Sequence, residues 1–269
     1  MQPSLFPDDD AARTGRAAAA PLPPSPLSPV SVGCAGWSLP RAVWPEFPAE
    51  GTHLQRYAAR FNAVEINSSF YRPHQPATYA RWADSVPENF RFSVKLPKTI
   101  THQQRLADCT ALLETFLSQA TCLGQRLGCL LVQLPPSLAF DRAKAAAFLD
   151  VLRQRHGGPV ALEPRHASWF TEAANALLAA CQVGRVLADP VVDEAGRIPG
   201  GFADLLYVRL HGSPHMYYSA YPHPVLDALK GRLALASRSG ANVWCIFDNT
   251  AEGAAVEDAL YTTRGLALR

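Results

Sequence analysis

Short apolar runs alternate with longer amphipathic stretches from residue 31 to the end of the chain. Eight runs have the pattern of strands: SVGCAGW (31–37), AVEINSS (63–69), RFSVKLP (91–97), LGCLLVQLP (127–135), PVALEPR (159–165), GRVLAD (184–189), LLYVRLHG (205–212) and NVWCIFDN (242–249). Seven stretches between them have helical spacing: 50–60, 76–86, 105–123, 141–155, 171–182, 223–237 and 251–264. Near-continuous apolar strands that alternate with helices indicate a parallel sheet covered by helices.

The number of units favours a closed barrel over an open sheet. Eight strand–helix units in about 240 residues match the (β/α)8 TIM-like barrel. A doubly wound open sheet is the alternative, but it favours a glycine-rich turn that leads straight into a helix, and GCAGWSLP has no helix directly behind it. We therefore expect an α/β fold with one TIM-like barrel domain over residues 31–269. The connection 190–204 is rich in glycine and proline, so we expect it to be irregular.

Residues 1–30 follow a different pattern. This segment lacks apolar periodicity, and alanine and proline dominate its second half, so we expect a disordered arm. Its start, QPSLF, resembles the short peptide by which bacterial replication and repair proteins dock on the DNA sliding clamp. Gln2 would hydrogen-bond at the rim of a pocket that Leu5 and Phe6 fill. A chance match is the alternative, because the motif is short and two of its positions are free.

Composition narrows the classes of function. The net charge of the 269-residue chain is +2, so the chain as a whole lacks the excess of basic charge that attracts nucleic acid. A local basic patch is still compatible with this composition. No apolar stretch approaches the roughly 18–20 residues of a membrane span, and no secretory signal is present, so we expect a cytoplasmic protein. The six cysteines lack the close spacing of a zinc or redox motif and are expected to pack as small hydrophobic residues.

Polar side chains gather where the predicted strands end. In a barrel, active groups project from the carboxyl ends of the strands, and period two places Glu65 and Asn67 on the face opposite Val64 and Ile66. The candidate catalytic residues are Glu65, Lys95, Glu163 and His211. The candidate substrate-binding residues are Trp37, Asn67, Ser69, Tyr71, His102, Gln133, Arg165, His166, Asp189, Arg209, Asp248 and Asn249.

A structural role is the alternative for any one of these residues. Glu65 or Glu163 could be a buried ion paired with Lys95, Arg165 or Arg209, because structural networks also bury charges. The whole ring is harder to explain in this way, since many titratable groups converge on one rim without being needed for packing. We therefore interpret the rim as a functional site.

Seven segments taken together resemble a known family. GCAGWS, YAARFNAVEINSSFYRP, FSVKLPKTITH, LGCLLVQLPPS, EPRHASWF, YVRLHG and CIFDNT are similar, in this order, to the YecE-like proteins of domain-of-unknown-function family 72. The resemblance implies a TIM-like barrel but no reaction. The chain has Phe247-Asp248-Asn249 where the family tends to have Phe-Asn-Asn, and Glu163-Pro164-Arg165-His166 where it tends to have Glu-Phe-Arg-His. The first departure adds a carboxylate, which argues against any role that requires a neutral amide at position 248.

Two kinds of enzyme and one binding module fit these residues. The first is a hydrolase or lyase of an anionic substrate, with Arg165 and Arg209 clamping a phosphate or carboxylate and no cofactor. Its base would be Glu65 or Glu163, and its acid His211 or Lys95. The second is a metal-dependent phosphodiesterase or nuclease, linked to DNA repair through the amino-terminal peptide. Its divalent metal would take ligands from Glu65, Glu163, His166, Asp189 and His211, although no H-x-H pair is present and cations would compete. The third is a non-catalytic module that binds nucleic acid or a small ligand.

The QPSLF peptide generates the first testable prediction. Replacing Leu5 and Phe6 together by alanine should weaken binding to a bacterial sliding clamp by about tenfold or more, because these side chains would fill the apolar pocket. The measurement is surface plasmon resonance with the clamp immobilised. Ser4→Ala, at a free position of the motif, is the matched control and should bind like the wild type. Equal binding by all three proteins, or no binding at all, would refute the interpretation.

Overall fold

The computed structural model describes residues 30–266, and within them strands and helices alternate as the pattern predicts. The strands are β1 Val30–Cys34, β2 Ala63–Ile66, β3 Arg91–Lys95, β4 Leu127–Gln133, β5 Val160–Glu163, β6 Val183–Arg185, β7 Leu187–Asp189, β8 Gly200–Gly201, β9 Leu205–Leu210 and β10 Asn242–Phe247. The helices are α1 His53–Ala58, α2 Pro76–Asp84, α3 Thr110–Ala120, α4 Arg142–Arg155, α5 Glu172–Ala180, α6 His223–Arg238 and α7 Ala254–Thr263. Each predicted run contains a strand and each predicted amphipathic stretch contains a helix.

The α/β class is confirmed, whereas a closed barrel is not. In residues 30–266 the hydrogen-bonded ladders form two sheets, ordered β1-β10-β9-β7 and β2-β3-β4-β5-β6-β8. All pairs are parallel except β6 with the two-residue strand β8. The sixth predicted run supplies both β6, which pairs with β5, and β7, which pairs with β9. One continuous segment therefore passes from the six-stranded sheet into the four-stranded sheet.

The other junction between the sheets, from β1 to β2, depends on side chains. Ala35 and Glu65 form one isolated parallel bridge there. The Tyr57 hydroxyl accepts a hydrogen bond from the Cys34 amide at 2.7 Å and donates one to the Ala63 carbonyl at 3.0 Å. The Asn62 amide group pairs with the backbone of β1 in the same way, accepting from Val32 and donating to Val30. These two side chains satisfy backbone groups that a ladder would otherwise pair.

Apolar residues form two separate clusters on the two faces of the strands. The larger cluster lies between the strands and the helices and includes Val32, Ile66 and Leu162. The smaller one lies between the inner faces of both sheets and contains Ala63, Cys129, Leu131, Ala161, Val186, Leu205, Tyr207, Trp244 and Ile246. Period two confirms that Glu65 and Arg209 share the inner faces with Ala63 and Tyr207. The inner cluster therefore forms a floor beneath the polar ends of the strands.

The connection from 190 to 204 is irregular, as its composition predicts. It contains a single short turn of helix at Glu194–Arg197 and the strand β8. The buried Arg185 side chain holds it by donating to the carbonyls of Ala195 at 2.9 Å and Ile198 at 3.0 Å. In the part of the chain that the structure describes, no helix is both long and apolar enough to cross a membrane.

The narrow β1–β2 junction generates a stability prediction. A Cβ atom at Gly33 would lie 1.9 Å from the Ala63 carbonyl oxygen and 2.7 Å from the Tyr57 hydroxyl. Gly33→Ala should therefore lower the free energy of unfolding by roughly 3 kcal/mol, because backbone and a buried ring must both move. Gly231→Ala is the control, since its Cβ meets nothing within 4 Å on the exposed side of α6. The control should gain about 0.5–1 kcal/mol in urea unfolding. Equal stabilities for the two variants would contradict this description of the junction.

Candidate functional site

The Arg209 side chain is the centre of a buried network of charges. Its guanidinium binds Glu65 through two hydrogen bonds, Nε to Oε2 at 3.0 Å and Nη2 to Oε1 at 2.7 Å. Nη1 donates to Glu163 Oε2 at 2.6 Å, and Nη2 also donates to Asp248 Oδ2 at 3.1 Å. Arg209, Glu65 and Glu163 are fully buried. One cation therefore joins three carboxylates from different strand ends.

The register of the strands explains why these groups meet. Glu65 lies in β2 and Glu163 ends β5, because Pro164 follows it and cannot donate to a ladder. In the other sheet, Arg209 pairs with Ile246, so Asp248 lies just beyond the carboxyl end of β10. Parallel strands bring all four residues to the same edge. The network therefore spans both sheets.

His211 extends the network beyond Arg209. Its Nδ1 lies 2.9 Å from Asp248 Oδ2, and its Nε2 lies 2.9 Å from Glu163 Oε1. Nη2 of Arg165 lies 2.7 Å from the same Nε2 and 2.6 Å from Glu163 Oε1. Nε2 can donate to Glu163 when it carries a proton, and can accept from Arg165 when it does not. The ring is therefore placed to hold or release a proton at this atom.

The ionised forms of the network are favoured by its own contacts. Burial alone would raise the pKa of Glu163, but Arg209, Arg165 and His211 hold this pKa well below the usual range. Burial would likewise raise the pKa of Asp248, which Arg209 and His211 lower. The pKa of Arg209 is well above its usual value, because the three carboxylates outweigh its burial. These groups therefore act as fixed charges at neutral pH.

Lys95 is the basic residue that the network leaves without a carboxylate. It ends β3 with 6% of its surface exposed, and within residues 30–266 it forms no ion pair. Its Nζ lies 4.2 Å from the centroid of the Phe70 ring, a distance typical of a cation–π contact. Burial, assisted by Arg209, lowers the pKa of Lys95 to about 8, although Glu65, Glu163 and Asp248 oppose this change. At neutral pH a fraction of this amine is therefore uncharged.

A second, smaller network holds the loop after β9. Asp189 Oδ2 accepts from the Tyr221 hydroxyl at 2.7 Å, and the same hydroxyl accepts from the Gly212 amide at 2.8 Å. Asn249 donates to Asp258 Oδ2 at 2.7 Å and to the Ser219 carbonyl at 2.9 Å. Burial raises the pKa of Asp258 to about 6. Asp189 and Asn249, expected to bind substrate, are thus engaged in positioning the loop.

The remaining predicted residues divide by location. His102 and Tyr71 lie against Phe70, with ring centroids at 4.9 Å and 5.0 Å. Ser69 donates to the Lys95 carbonyl at 2.6 Å, and His166 caps the short turn Ala167–Trp169. Gln133 ends β4 and is partly exposed. Gln2, Leu5 and Phe6 lie outside the described residues.

A neighbouring cavity of about 380 Å³ contains two more predicted residues, and it is lined by Ala35, Gly36, Trp37, Ser38, His53, Asn67 and Ser68. Asn67 Oδ1 is buried without a hydrogen-bond partner among the described residues. The polar lining and this unpaired oxygen leave a hydrogen-bond acceptor free for a ligand donor or for water.

Sequence reasoning missed two tyrosines of the site. The Tyr207 hydroxyl donates to Glu65 Oε2 at 3.0 Å and can accept from the Ser93 hydroxyl at 2.8 Å, and it connects the network to the inner apolar floor. Tyr217 has φ of 71° and donates its amide hydrogen to the His211 carbonyl, and the centroids of the two rings lie 5.9 Å apart in an edge-to-face arrangement. The sequence signal for Tyr217 was the tyrosine-rich cluster HMYYSAY (215–221), which lies shortly after the seventh strand run. Tyr217 is 41% exposed, and its ring lies against His211 at the solvent side of the network.

A metal centre of the predicted kind is not found in residues 30–266. These residues contain no group of three or more His, Cys, Asp or Glu side chains that could hold a metal ion. The Arg209 guanidinium bridges Glu65 and Glu163 by direct hydrogen bonds. His166 caps a turn and Asp189 binds Tyr221, so these two of the five proposed ligands are engaged by groups outside the Arg209 network.

Comparisons with known proteins agree on the family. The model of a family described as "Protein of unknown function DUF72" matches residues 31–269. UPF0759 protein YecE of Escherichia coli K12 is 33% identical over 144 residues, which are 53% of this chain and 51% of that protein. UPF0759 protein YunF of Bacillus subtilis 168 is 30% identical over 150 residues, 53% of this chain and 52% of that protein. The matched part of the chain thus spans about half the length of these curated relatives.

Solved structures extend the likeness over most of the chain. A DUF72 family protein of Thermotoga maritima MSB8 has a TM-score of 0.72 and 27% identity, over 87% of this chain and 98% of that one. A DUF72 family protein of Enterococcus faecalis V583 also has a TM-score of 0.72, with 22% identity over 89% of this chain and 96% of that one. The second likeness concerns the fold alone.

The pairing of Glu65 with Arg209 generates the next prediction. Glu65→Gln should lower the free energy of unfolding by about 3–5 kcal/mol, because it leaves part of the buried Arg209 charge uncompensated. The measurement is urea unfolding at pH 7. Glu46→Gln is the matched control, since Glu46 pairs with Arg264 at 2.8 Å on the exposed surface. It should change stability by at most about 0.5 kcal/mol. A similarly small effect at Glu65 would show that the network is not a structural centre.

Proposed function

This chain belongs to the DUF72 family, and we propose that it is an enzyme that binds an anionic small molecule at Lys95 and Arg165 and transfers protons through its own side chains. The observation that carries the proposal is that Lys95 is buried without a carboxylate partner. A buried lysine usually pairs with a carboxylate, yet Lys95 pairs with none in residues 30–266. An anionic ligand would supply the missing partner.

The charges of the network support the same ligand class. Three buried carboxylates, Glu65, Glu163 and Asp248, face the guanidinium groups of Arg209 and Arg165. The charge of Lys95 therefore balances the group, and no excess of negative charge repels an anion when this amine is protonated. Arg165 Nε is also buried without a hydrogen-bond partner among the described residues. Lys95 and Arg165 thus both retain unused hydrogen-bond donors.

The roles within the site follow from how each group is engaged. Glu65 and Arg209 satisfy one another, so they hold the site rather than contact the ligand. This assigns Arg209 a positioning role in place of the anion clamp expected from the sequence. Nδ1 of His211 lies beside Asp248, and its Nε2 lies within hydrogen-bond distance of both Arg165 and Glu163. Because Nε2 can either donate to Glu163 or accept from Arg165, His211 is the candidate for proton transfer. Lys95, when uncharged, is the candidate base.

Anion binding gives the test of this proposal. Sulfate keeps its charge between pH 7 and pH 9, so its binding should follow the protonation of Lys95. The pKa of about 8 predicts that affinity falls by about tenfold from pH 7 to pH 9, because the charged fraction of the amine falls from about nine-tenths to one-tenth. Isothermal titration calorimetry at constant ionic strength measures this. Lys95→Met should remove the binding and its pH dependence.

Two controls separate the outcomes. Lys98→Met changes a lysine three residues further along the chain, on the loop after β3, and should bind sulfate like the wild type. Equal binding by both variants would refute the assignment of the ligand to Lys95. Catalysis is tested by incubating wild type and His211→Asn with a bacterial metabolite extract and comparing anionic metabolites by mass spectrometry. Metabolites consumed only by the wild type support an enzyme. Metabolites that are bound without being consumed support a non-catalytic binding module instead.

A further inference from the structure

We propose that Lys95 is a nucleophile that forms an imine with the carbonyl carbon of an anionic aldehyde or ketone. This inference rests on the proposed function, because it names the substrate class of the same site: Arg165 would hold the anionic group of the substrate, and the uncharged fraction of Lys95 would attack its carbonyl carbon. Its chemical basis is an amine that is desolvated and close to another cation, two conditions that activate lysine for attack on carbonyl groups. Both conditions are met at Lys95, which is buried at the end of β3 in the electrostatic field of Arg209.

The surroundings of Lys95 differ from those of a structural lysine. Lys230 offers the comparison, since its Nζ lies 3.7 Å from the Tyr261 ring centroid and also pairs with Asp227 at 3.1 Å. Lys95 has the aromatic contact with Phe70 but no carboxylate in residues 30–266. A carboxylate in hydrogen-bond contact would hold the amine as an ammonium group, which cannot attack. Without one, the uncharged amine that attack requires is accessible near neutral pH, in agreement with the lowered pKa.

The proposed step balances without a further reactant. The lone pair of Lys95 Nζ forms a bond to the carbonyl carbon while the carbon–oxygen π bond breaks. The two amine protons pass to the carbonyl oxygen, which leaves as water, and a carbon–nitrogen double bond remains. Protonation of this nitrogen gives an iminium ion. Hydrolysis at the end of the cycle reverses these bonds and restores the amine.

The charge network favours the iminium ion once it has formed. The uncharged amine leaves three carboxylates against the two arginines, whereas the iminium nitrogen restores the third positive charge. It would also keep the favourable position over the Phe70 ring. Glu65, Glu163 and Asp248 already act on Lys95 in this direction, since each favours a positive charge there. The site therefore stabilises the covalent intermediate more than the uncharged amine.

The chemistry of an iminium ion favours one of the two reaction classes, hydrolase and lyase, that the sequence left open. It draws electrons from the neighbouring carbon, so that a carbon–hydrogen or carbon–carbon bond at that carbon breaks and the electron pair moves toward nitrogen. The released proton needs an acceptor, and His211 Nε2, which belongs to the same charge network, can take one when it is unprotonated. The inference therefore favours a lyase or isomerase of an oxo acid or phosphorylated carbonyl compound over a hydrolase.

Trapping with borohydride tests the inference directly. The probe is pyridoxal 5′-phosphate, used as an anionic aldehyde, and borohydride reduces any imine to a stable amine that peptide mass spectrometry locates. The chain has four lysines, Lys95, Lys98, Lys144 and Lys230, so each site is resolved. We expect at least tenfold more adduct at Lys95 than at Lys98 at pH 7.5, and less adduct with pyridoxal, which lacks the phosphate. The Lys95 rate should level off above about pH 8, whereas an ordinary lysine gains up to about pH 10.

The variants keep the outcomes distinct. Lys95→Met should lose the dominant adduct, and Lys98→Met should retain it, with circular dichroism showing that both fold. Equal labelling of Lys95 and Lys98 would overturn the inference. Sulfate binding that depends on Lys95, without a trapped imine, would overturn the covalent step and leave the proposed function standing. A Lys95 adduct without sulfate binding would support the nucleophile and refute the anion site.

Discussion

Burial of the Arg209 guanidinium is the constraint on which the rest of the site depends. An ion removed from water is tolerated only when its hydrogen-bonding capacity is met by well-placed opposite charges. Arg209 meets this condition through Glu65, Glu163 and Asp248, which come from β2, β5 and the end of β10. These strands belong to both sheets. The pairing therefore fixes the distance between the sheets at the same edge where the functional groups lie.

The same constraint accounts for the environment from which we propose the reactivity of Lys95. Glu65 is occupied by two bonds from Arg209, and Glu163 is shared by Arg209, Arg165 and His211. The hydrogen-bonding capacity of these carboxylates is thus met by the arginines and the histidine. Their charge acts on Lys95 without direct contact. The nearby negative charges therefore favour the protonated form of this amine, but none of the carboxylates forms an ion pair with it in residues 30–266. A structural centre and a reactive group can therefore occupy one small volume, because the arginine takes the direct contacts.

The sequence allowed the strand ends and the inward-facing residues to be predicted, but not how they pair. Period two identifies Glu65, Glu163 and Arg209 as members of one face, since each is separated by one residue from an apolar inner neighbour. The periodicity does not show which basic side chain pairs with which carboxylate, because the pairing depends on how far each side chain reaches across the space between the inner faces of the sheets. Asp189 and Asn249 also lie at the carboxyl ends of strands, yet Tyr221 and Asp258 hold them in the loop network. Tyr57 and Asn62, which join β1 to β2, have no periodic signal, because they act through single polar atoms on backbone groups.

Asp248 connects the departure from the family pattern to the chemistry of the site. An asparagine oxygen at this position could still accept hydrogen bonds from Arg209 and His211, so the geometry alone does not require a carboxylate. What the carboxylate adds is a negative charge, and this charge raises the tendency of Lys95 to hold a proton or an iminium charge. It also lies against His211 Nδ1, where it orients the ring so that Nε2 faces Arg165 and Glu163. The carboxylate at the end of β10 therefore acts on both Lys95 and His211, the proposed nucleophile and the proposed proton-transferring group.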